Sequence, residues 1–332
     1  MKVLLLRCIN DLRGAPDMMG TAQAPHPFAC HVCDHQGVTV HGANGTFYPG
    51  APHRMLSVHH PLRDKWRQVF KSLAPVSTRL TADDPGRVSW AYSAEDRVTM
   101  TTDTRAREAA NYVHLCPGEA PWEGFQRRPE IHRLPYFDVV HMSIYDAMHA
   151  MFNQGKMIRE IFCGRLKSRA AKSQVALQQA EHHRRCSDSR DNDPVELPLF
   201  DQRQCNELDA LCLSLRLTGG NGRLPSMFSQ SGQWHGKQWV EFFGPCGVWL
   251  LCQMTMVSAV CDVLVRLCWW LFACRNPRIR IDQLPRLRQE GIDIFMQYEY
   301  VFPLECCTIA HHYLLHLVDT IERHGPIRNW WM

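Results

Sequence analysis

No apolar run in this 332-residue chain is both long and free of charge. The longest, Val248 to Phe272, is interrupted by Gln253, Asp262 and Arg266 and flanked by Pro245 and Pro277. A membrane span would carry those polar groups at mid-depth, so the run reads as a buried helix or helix pair and no membrane partner is expected. No secretory signal is expected either, because the short apolar run Val3-Leu4-Leu5-Leu6 is cut by Arg7. Charge of one sign is scarce: the net charge of +4 excludes a polybasic chain, so any nucleic-acid contact needs a local patch. Internal repeats are absent, which excludes solenoids and propellers. There is no HExxH, which argues against a zinc hydrolase with an open metal position, and the usual second CxxC of a zinc ribbon is absent as well.

What the chain does have is cysteine and histidine, 15 and 18 respectively. The odd cysteine count and the length argue against a disulfide framework. Cys252, Cys261, Cys268 and Cys274 fall in apolar helical patterns, where a reduced thiol acts as a small hydrophobe. The expectation is an intracellular reducing compartment with free or metal-bound thiols. An apolar fraction of 45% against a charged fraction of 21% fits a folded chain with a large core.

Along the chain, residues 3–9 read as a buried strand ended by Asn10-Asp11. The segment 26–50 reads as an irregular knuckle with a short strand near Val38-Thr39-Val40 and turns at Gly42, Asn44-Gly45 and Pro49-Gly50. A helix is expected after Pro61. Residues 76–133 are mixed and read as an irregular connection. From Leu134-Pro135-Tyr136-Phe137 the chain passes through Asp146-Ala147-Met148-His149 into a helix reaching about Arg169. A surface loop follows over 186–198, then helices over 205–217, 234–274 and 283–322. The order gives four segments, 1–75, 76–133, 134–304 and 305–332, with strands early and helices late.

Asp11, at the end of a strand, is placed to reach a metal, although a turn-forming aspartate is the commoner meaning of that position. Cys30 and Cys33 have the spacing of two ligands to one tetrahedral zinc, and a pair of unrelated or redox thiols is the alternative. His312 and His316 are four apart, so one helical face presents both rings; His311 is an alternative partner for His316. Two half-sites this far apart in sequence are what a metal stapling distant segments requires. Asp146 and His149 lie three apart on one side of a helix turn, or else form a helix-start acid with a neighbouring imidazole. Lys156, Arg159, Arg165, Lys167, Arg169 and Lys172, with Arg184-Arg185, Arg275, Arg278 and Arg280, offer either a phosphate-binding face or a solvated helix surface.

Taken in order, these blocks resemble the CACTA (En/Spm-like) transposases of the DDE type. Leu6-Arg7-Cys8-Ile9-Asn10-Asp11-Leu12 with Gly20 and Phe28-Ala29-Cys30-His31-Val32-Cys33 is similar to that family's strand, acid, glycine and CPxC block. Leu134-Pro135-Tyr136 with Asp146-Ala147-Met148-His149 is similar to its LPY and DxMH block. His312 to Asp319, then Gly325-Pro326 and Asn329-Trp330-Trp331-Met332, is similar to its HxxxHL, GP and RWM block. The resemblance implies an α/β plus α fold: a partial RNase H-like core lacking its first strands, a large mainly helical insertion over 134–304, and a C-terminal helix returning to the core. It implies structural Zn2+ on Cys30, Cys33, His312 and His316, and Asp11 as a catalytic acid for Mg2+ or Mn2+, which would activate water and a DNA 3′-hydroxyl. It also implies DNA as partner through transposon ends, room for a homo-oligomer, no small-molecule substrate, and a nuclear location. The family's other two acids, an Asp upstream and a Glu downstream, have no counterpart in these 332 residues, so the expectation is a transposase-derived chain inactive by itself. The alternative is a non-enzymatic, zinc-braced DNA- or protein-binding product.

Overall fold

A computed structural model describes residues 8–10, 14–22, 26, 28–39, 46–56, 97–116, 124–163, 199–217, 222–302 and 306–327. Asp11, the helix expected after Pro61, Arg165, Lys167, Arg169, Lys172, Arg184-Arg185, the 186–198 loop and Trp330-Trp331-Met332 lie outside them. The described chain is mostly helical, with four short strands.

Strand β1 (Cys8–Asn10) pairs in parallel with β4 (Ser143–Tyr145), matching Ile9 to Ile144. Parallel neighbours require a long crossover, and here it holds everything between them. Within it, β2 (Val38–Thr39) and β3 (Thr46–Phe47) form an antiparallel pair. The crossover also carries helices α1 (Gly14–Met19), α2 (Ala51–Met55) and α3 (Asp103–Leu115). The segment 134–304 therefore opens with a strand that belongs beside the N-terminal one.

Helix α3 lies in the stretch that reads as irregular. Thr102 caps it, its side chain accepting from the Arg105 N–H at 3.2 Å. Its buried face consists of Ala106, Ala109 and Ala110, which let Phe125, Phe137, Val139 and Val140 approach closely. Arg107 fixes the Leu134-to-Phe137 block by donating to the carbonyls of His132, Leu134 and Phe137, while Asp103 accepts from Val139 N–H at 2.8 Å.

Helix α4 (Ala147–Cys163) starts after Asp146, the residue that follows β4. The Asp146 carbonyl accepts from Ala150 N–H, and its carboxylate accepts from Met148 N–H at 3.0 Å, which makes it the N-terminal cap. Ala150, Met151, Gln154, Ile158, Ile161 and Phe162 recur at helical spacing on the buried face. Gly155 is required there because a Cβ would sit 2.2 Å from the Trp239 ring.

The main core gathers α4, α5 (Gln202–Ser214), α6 (Gly236–Glu241), α7 (Gly247–Gln253), α8 (Ser258–Cys274) and α9 (Leu284–Val301). Between α6 and α7 the backbone leaves helical geometry at Phe243 and Gly244, just before Pro245, which has no N–H to continue the ladder. The apolar run from Val248 is the helix pair α7 and α8, broken over residues 254–257. Among the described residues no helix is long and apolar enough to cross a membrane. Helices α10 (Ile309–Leu314) and α11 (Leu317–His324) close the described chain. Arg288 of α9 pairs with Asp319 and Glu322 of α11.

Candidate metal centre

The CxxC loop is held by its neighbours. Residues 97–101 run alongside it, with Asp34 N–H donating to Thr99 O and Thr101 N–H to Val32 O, both at 2.9 Å. From the other side, Tyr313 of α10 donates its hydroxyl proton to the Ala29 carbonyl at 3.0 Å. Having one proton to give, that hydroxyl accepts from His31 Nδ1, also at 3.0 Å. Thr308 caps α10, accepting from His311 N–H. This contact brings the last helices onto the first loop.

The result places Cys30, Cys33, His312 and His316 together, all buried, with one ligand atom of each within 4.8 Å of the others. The Sγ atoms are 3.7 Å apart, far beyond the ~2.0 Å of a disulfide. Cys30 Sγ lies 3.6 Å from His316 Nε2, Cys33 Sγ lies 3.3 Å from His312 Nε2, and the two Nε2 atoms are 3.2 Å apart. A tetrahedral ion with bonds of about 2.3 Å to sulfur and 2.0 Å to nitrogen has edges of about 3.8 Å (S–S), 3.5 Å (S–N) and 3.3 Å (N–N). The four atoms thus lie near the corners of such a tetrahedron, and the group could hold a metal ion.

The electrostatics fit the same conclusion. Burial pushes the Cys30 thiol up, but the Cys33 S–H, His312 and His316 outweigh it and hold Cys30 well below the usual thiol range. Cys33 moves the other way, well up, through burial first and then its bond to Cys30 and the charge there. Burial lowers His312, favouring the neutral ring that can ligate. A divalent cation would replace the Cys33 proton and neutralise two thiolates in a site with little water. The ligands are all from protein, so no corner is open for a reacting water.

Three residues outside the ligand set read from the sequence surround the centre. His35 stacks on His312 at 5.1 Å and accepts at Nδ1 from Arg54 at 3.1 Å. Arg54, buried, also donates to the Arg97 carbonyl at 3.0 Å. Tyr48 packs its ring 5.8 Å from that of His312 and donates to the His26 carbonyl. His35, two positions beyond the CxxC, was the available signal.

His312, not His311, belongs to the cluster. His311 points about a third of a turn away, against Phe295 and Tyr298, and burial pushes its pKa down to about 3. Asp146, fully buried, accepts from His149 Nδ1 at 2.5 Å, and His149 is about one-third exposed. The pair caps and orients the start of α4. A second such pair, Asp138 and His141 at 2.7 Å, precedes β4.

Of the basic residues named from the sequence, Lys156, Arg159, Arg275, Arg278 and Arg280 are among the described ones. Lys156 is exposed and lies over the Phe152 ring, while Arg159 pairs with Glu160 at 2.9 Å. Arg275 is not available to a phosphate, because its guanidinium donates to the Val240 carbonyl and stacks on Phe272. Arg280 is paired with Asp282. Among the described residues the one group suited to holding a metal is the Cys2His2 cluster, and no carboxylate cluster for Mg2+ or Mn2+ accompanies it. Compared with known proteins, the chain matches no family model, no curated protein and no solved structure.

Proposed function

We propose that this chain is a zinc-braced, transposase-derived protein that binds DNA and, as this chain, does not cut it. The observation that carries the reading is the convergence of two half-sites 279 positions apart on one buried tetrahedron. Two sulfurs and two imidazole nitrogens in tetrahedral array select zinc over harder ions, and a closed ligand set makes it a brace rather than a catalyst. Further support comes from the order of the sequence blocks and from the parallel pair β1 and β4, after which the next residues in sequence are the acids Asp11 and Asp146. The resemblance assigns Asp11 as a catalytic acid and an RNase H-like core as its frame, with transposon-end DNA as the partner in the nucleus. A two-metal site needs several carboxylates to hold ions ~3.5–4 Å apart, and Asp11 alone does not supply them.

The test is made on the purified full chain. Elemental analysis is expected to find one zinc per chain, lost in Cys30→Ser/Cys33→Ser. Fluorescence anisotropy with a labelled duplex should detect binding that weakens steeply with salt. Supercoiled plasmid with Mg2+ or Mn2+ should remain intact. Absence of zinc defeats the brace, absence of DNA binding at low salt defeats the DNA reading, and nicking abolished by Asp11→Ala defeats the proposed inactivity.

A further inference from the structure

Helix α11 and the start of β4 enclose a cavity that the metal centre does not use. It measures about 30 Å³, room for one or two water-sized groups, and His141, Ser143, Tyr145, Tyr313, Thr320 and Arg323 are among the residues that line it. His324 ties its two sides together, because its Nε2–H donates to the His141 carbonyl at 2.6 Å. Among the described residues no carboxylate lines it.

The charges nearby leave it positive. The acids of α11, Asp319 and Glu322, both turn to Arg288 of α9. Arg323, exposed on the same helix, has no carboxylate partner among the described residues and lines the cavity. Asp138 is already engaged: it accepts from Val140 N–H at 3.1 Å, from His141 N–H at 2.8 Å and from His141 Nδ1 at 2.7 Å. Burial pushes its carboxyl up, but these bonds outweigh burial and hold it below the usual carboxylate range. The His141 ring is thus held by Nδ1, and Nε2 lies on its other edge, a donor when the ring carries both protons. Ser143 supplies the polar floor. It is 5% exposed, and its hydroxyl has no hydrogen-bond partner. Side chains alternate along a strand, so Ser143 shares a face of β4 with Tyr145, whose ring stacks on that of Tyr313 at 4.5 Å in the cavity wall. A buried hydroxyl left unpaired is costly, and a ligand oxygen would satisfy it.

We propose that this cavity is a phosphate-binding site, with Arg323 supplying charge at its mouth, His141 a second donor and Ser143 a buried hydroxyl for one phosphate oxygen. Its volume admits one or two oxygens and not a whole nucleotide, which suits a phosphodiester held from outside. The source is therefore a backbone phosphate of DNA. That choice of source rests on the proposed DNA binding, whereas the phosphate chemistry does not, since free inorganic phosphate offers the same oxygens.

The full chain purified with zinc is titrated calorimetrically with sodium phosphate against sodium chloride of equal ionic strength. It is also titrated by anisotropy with a labelled DNA duplex over a series of salt concentrations. Arg323→Gln and Ser143→Ala are compared with Arg280→Gln, whose arginine is exposed but already paired with Asp282. Arg323→Gln should weaken duplex binding about tenfold at low salt and shrink the slope of log affinity against log salt by about 0.9, the value of one phosphate contact. Ser143→Ala should weaken it about fivefold and leave the slope unchanged, because a hydroxyl carries no charge. Arg280→Gln should alter neither. These duplex effects without heat from free phosphate would select DNA as the source. Heat from phosphate that Arg323→Gln abolishes, with no duplex binding, would keep the phosphate site and defeat the DNA reading alone. Binding of neither probe, equal effects of Arg323→Gln and Arg280→Gln, or wild-type affinity of Ser143→Ala for both probes would overturn the proposal. Arg323 is exposed and Ser143→Ala removes one atom, so both variants should melt like the wild type.

Discussion

Around Trp239 and Trp270 the chain buries apolar rings among apolar neighbours, while around Cys33 and His312 it buries groups that water would solvate better. Trp239 packs on Trp234 and Phe242, and Trp270 meets Phe295 edge-on and donates its N–H to the Leu287 carbonyl. That region needs no outside help, since removal of apolar area from water drives it. The Cys2His2 region has a smaller apolar cluster, with Ala29, Tyr48, Ile309 and Tyr313 around the two thiols. Its thiols and imidazoles face each other at 3.2–3.7 Å, an arrangement whose desolvation a shared cation would offset. The main core is held by many weak contacts, and a metal bound at the Cys2His2 group would add a few strong ones, so the two regions should fail differently.

The largest effect should come from removing the cation. Chelation, or Cys33→Ser, is expected to release the metal and forfeit binding energy that is on the order of 10 kcal/mol for small structural zinc sites. Thermal melting with and without chelator checks this, and a chelator-insensitive melt would refute the division. Next, Trp239→Ala should cost about 4 kcal/mol through the cavity it leaves, yet keep the metal-to-protein ratio unchanged. Loss of metal in that variant would show that the two regions are not separable.

A buried imidazole without a cation makes an instructive third case. His132 is held down to about 4, by burial first and then by Arg107. Its folded value lies below the unfolded 6.5, so the unfolded chain takes up the proton first as pH falls. The related stability is complete above about pH 6.5 and is lost as pH drops toward 4. His132→Phe should flatten denaturant midpoints across that window, recovering about 2 kcal/mol at its acid end. The smallest effect belongs to the half-exposed Arg288 bridge between α9 and α11: Arg288→Ala should cost about 0.5–1 kcal/mol in urea titration, less in high salt.

The sequence made the half-sites legible because ligand spacing is local: CxxC and HxxxH are properties of one turn each. It could not decide between His311 and His312, since both faces of α10 are buried and the choice depends on where Phe295 and Tyr298 stand. Helix α3 escaped notice because its core face is alanine, too weakly apolar to mark a period, although Thr102-Asp103 was a fair start signal. The break between α7 and α8 carries no Gly or Pro, so only tertiary packing locates it. Pro245 was an available signal for the kink, although 234–274 reads as one helical stretch. Arg54 and Tyr48 reach the centre through folds of the crossover that no local pattern encodes.

Separation along the chain also sets a timetable. Cys33 and His312 are 279 residues apart, so a ribosome adding about 5–20 residues per second exposes the first pair of ligands roughly 15–60 s before the second pair exists. During that interval the two thiols lack the imidazoles of His312 and His316. They can be oxidised, or can hold a metal with borrowed ligands that must later be exchanged. Closing so long a loop is the slow kind of folding event. Metal supply and thiol protection during synthesis, more than the stability of the finished protein, should therefore govern how much of it matures.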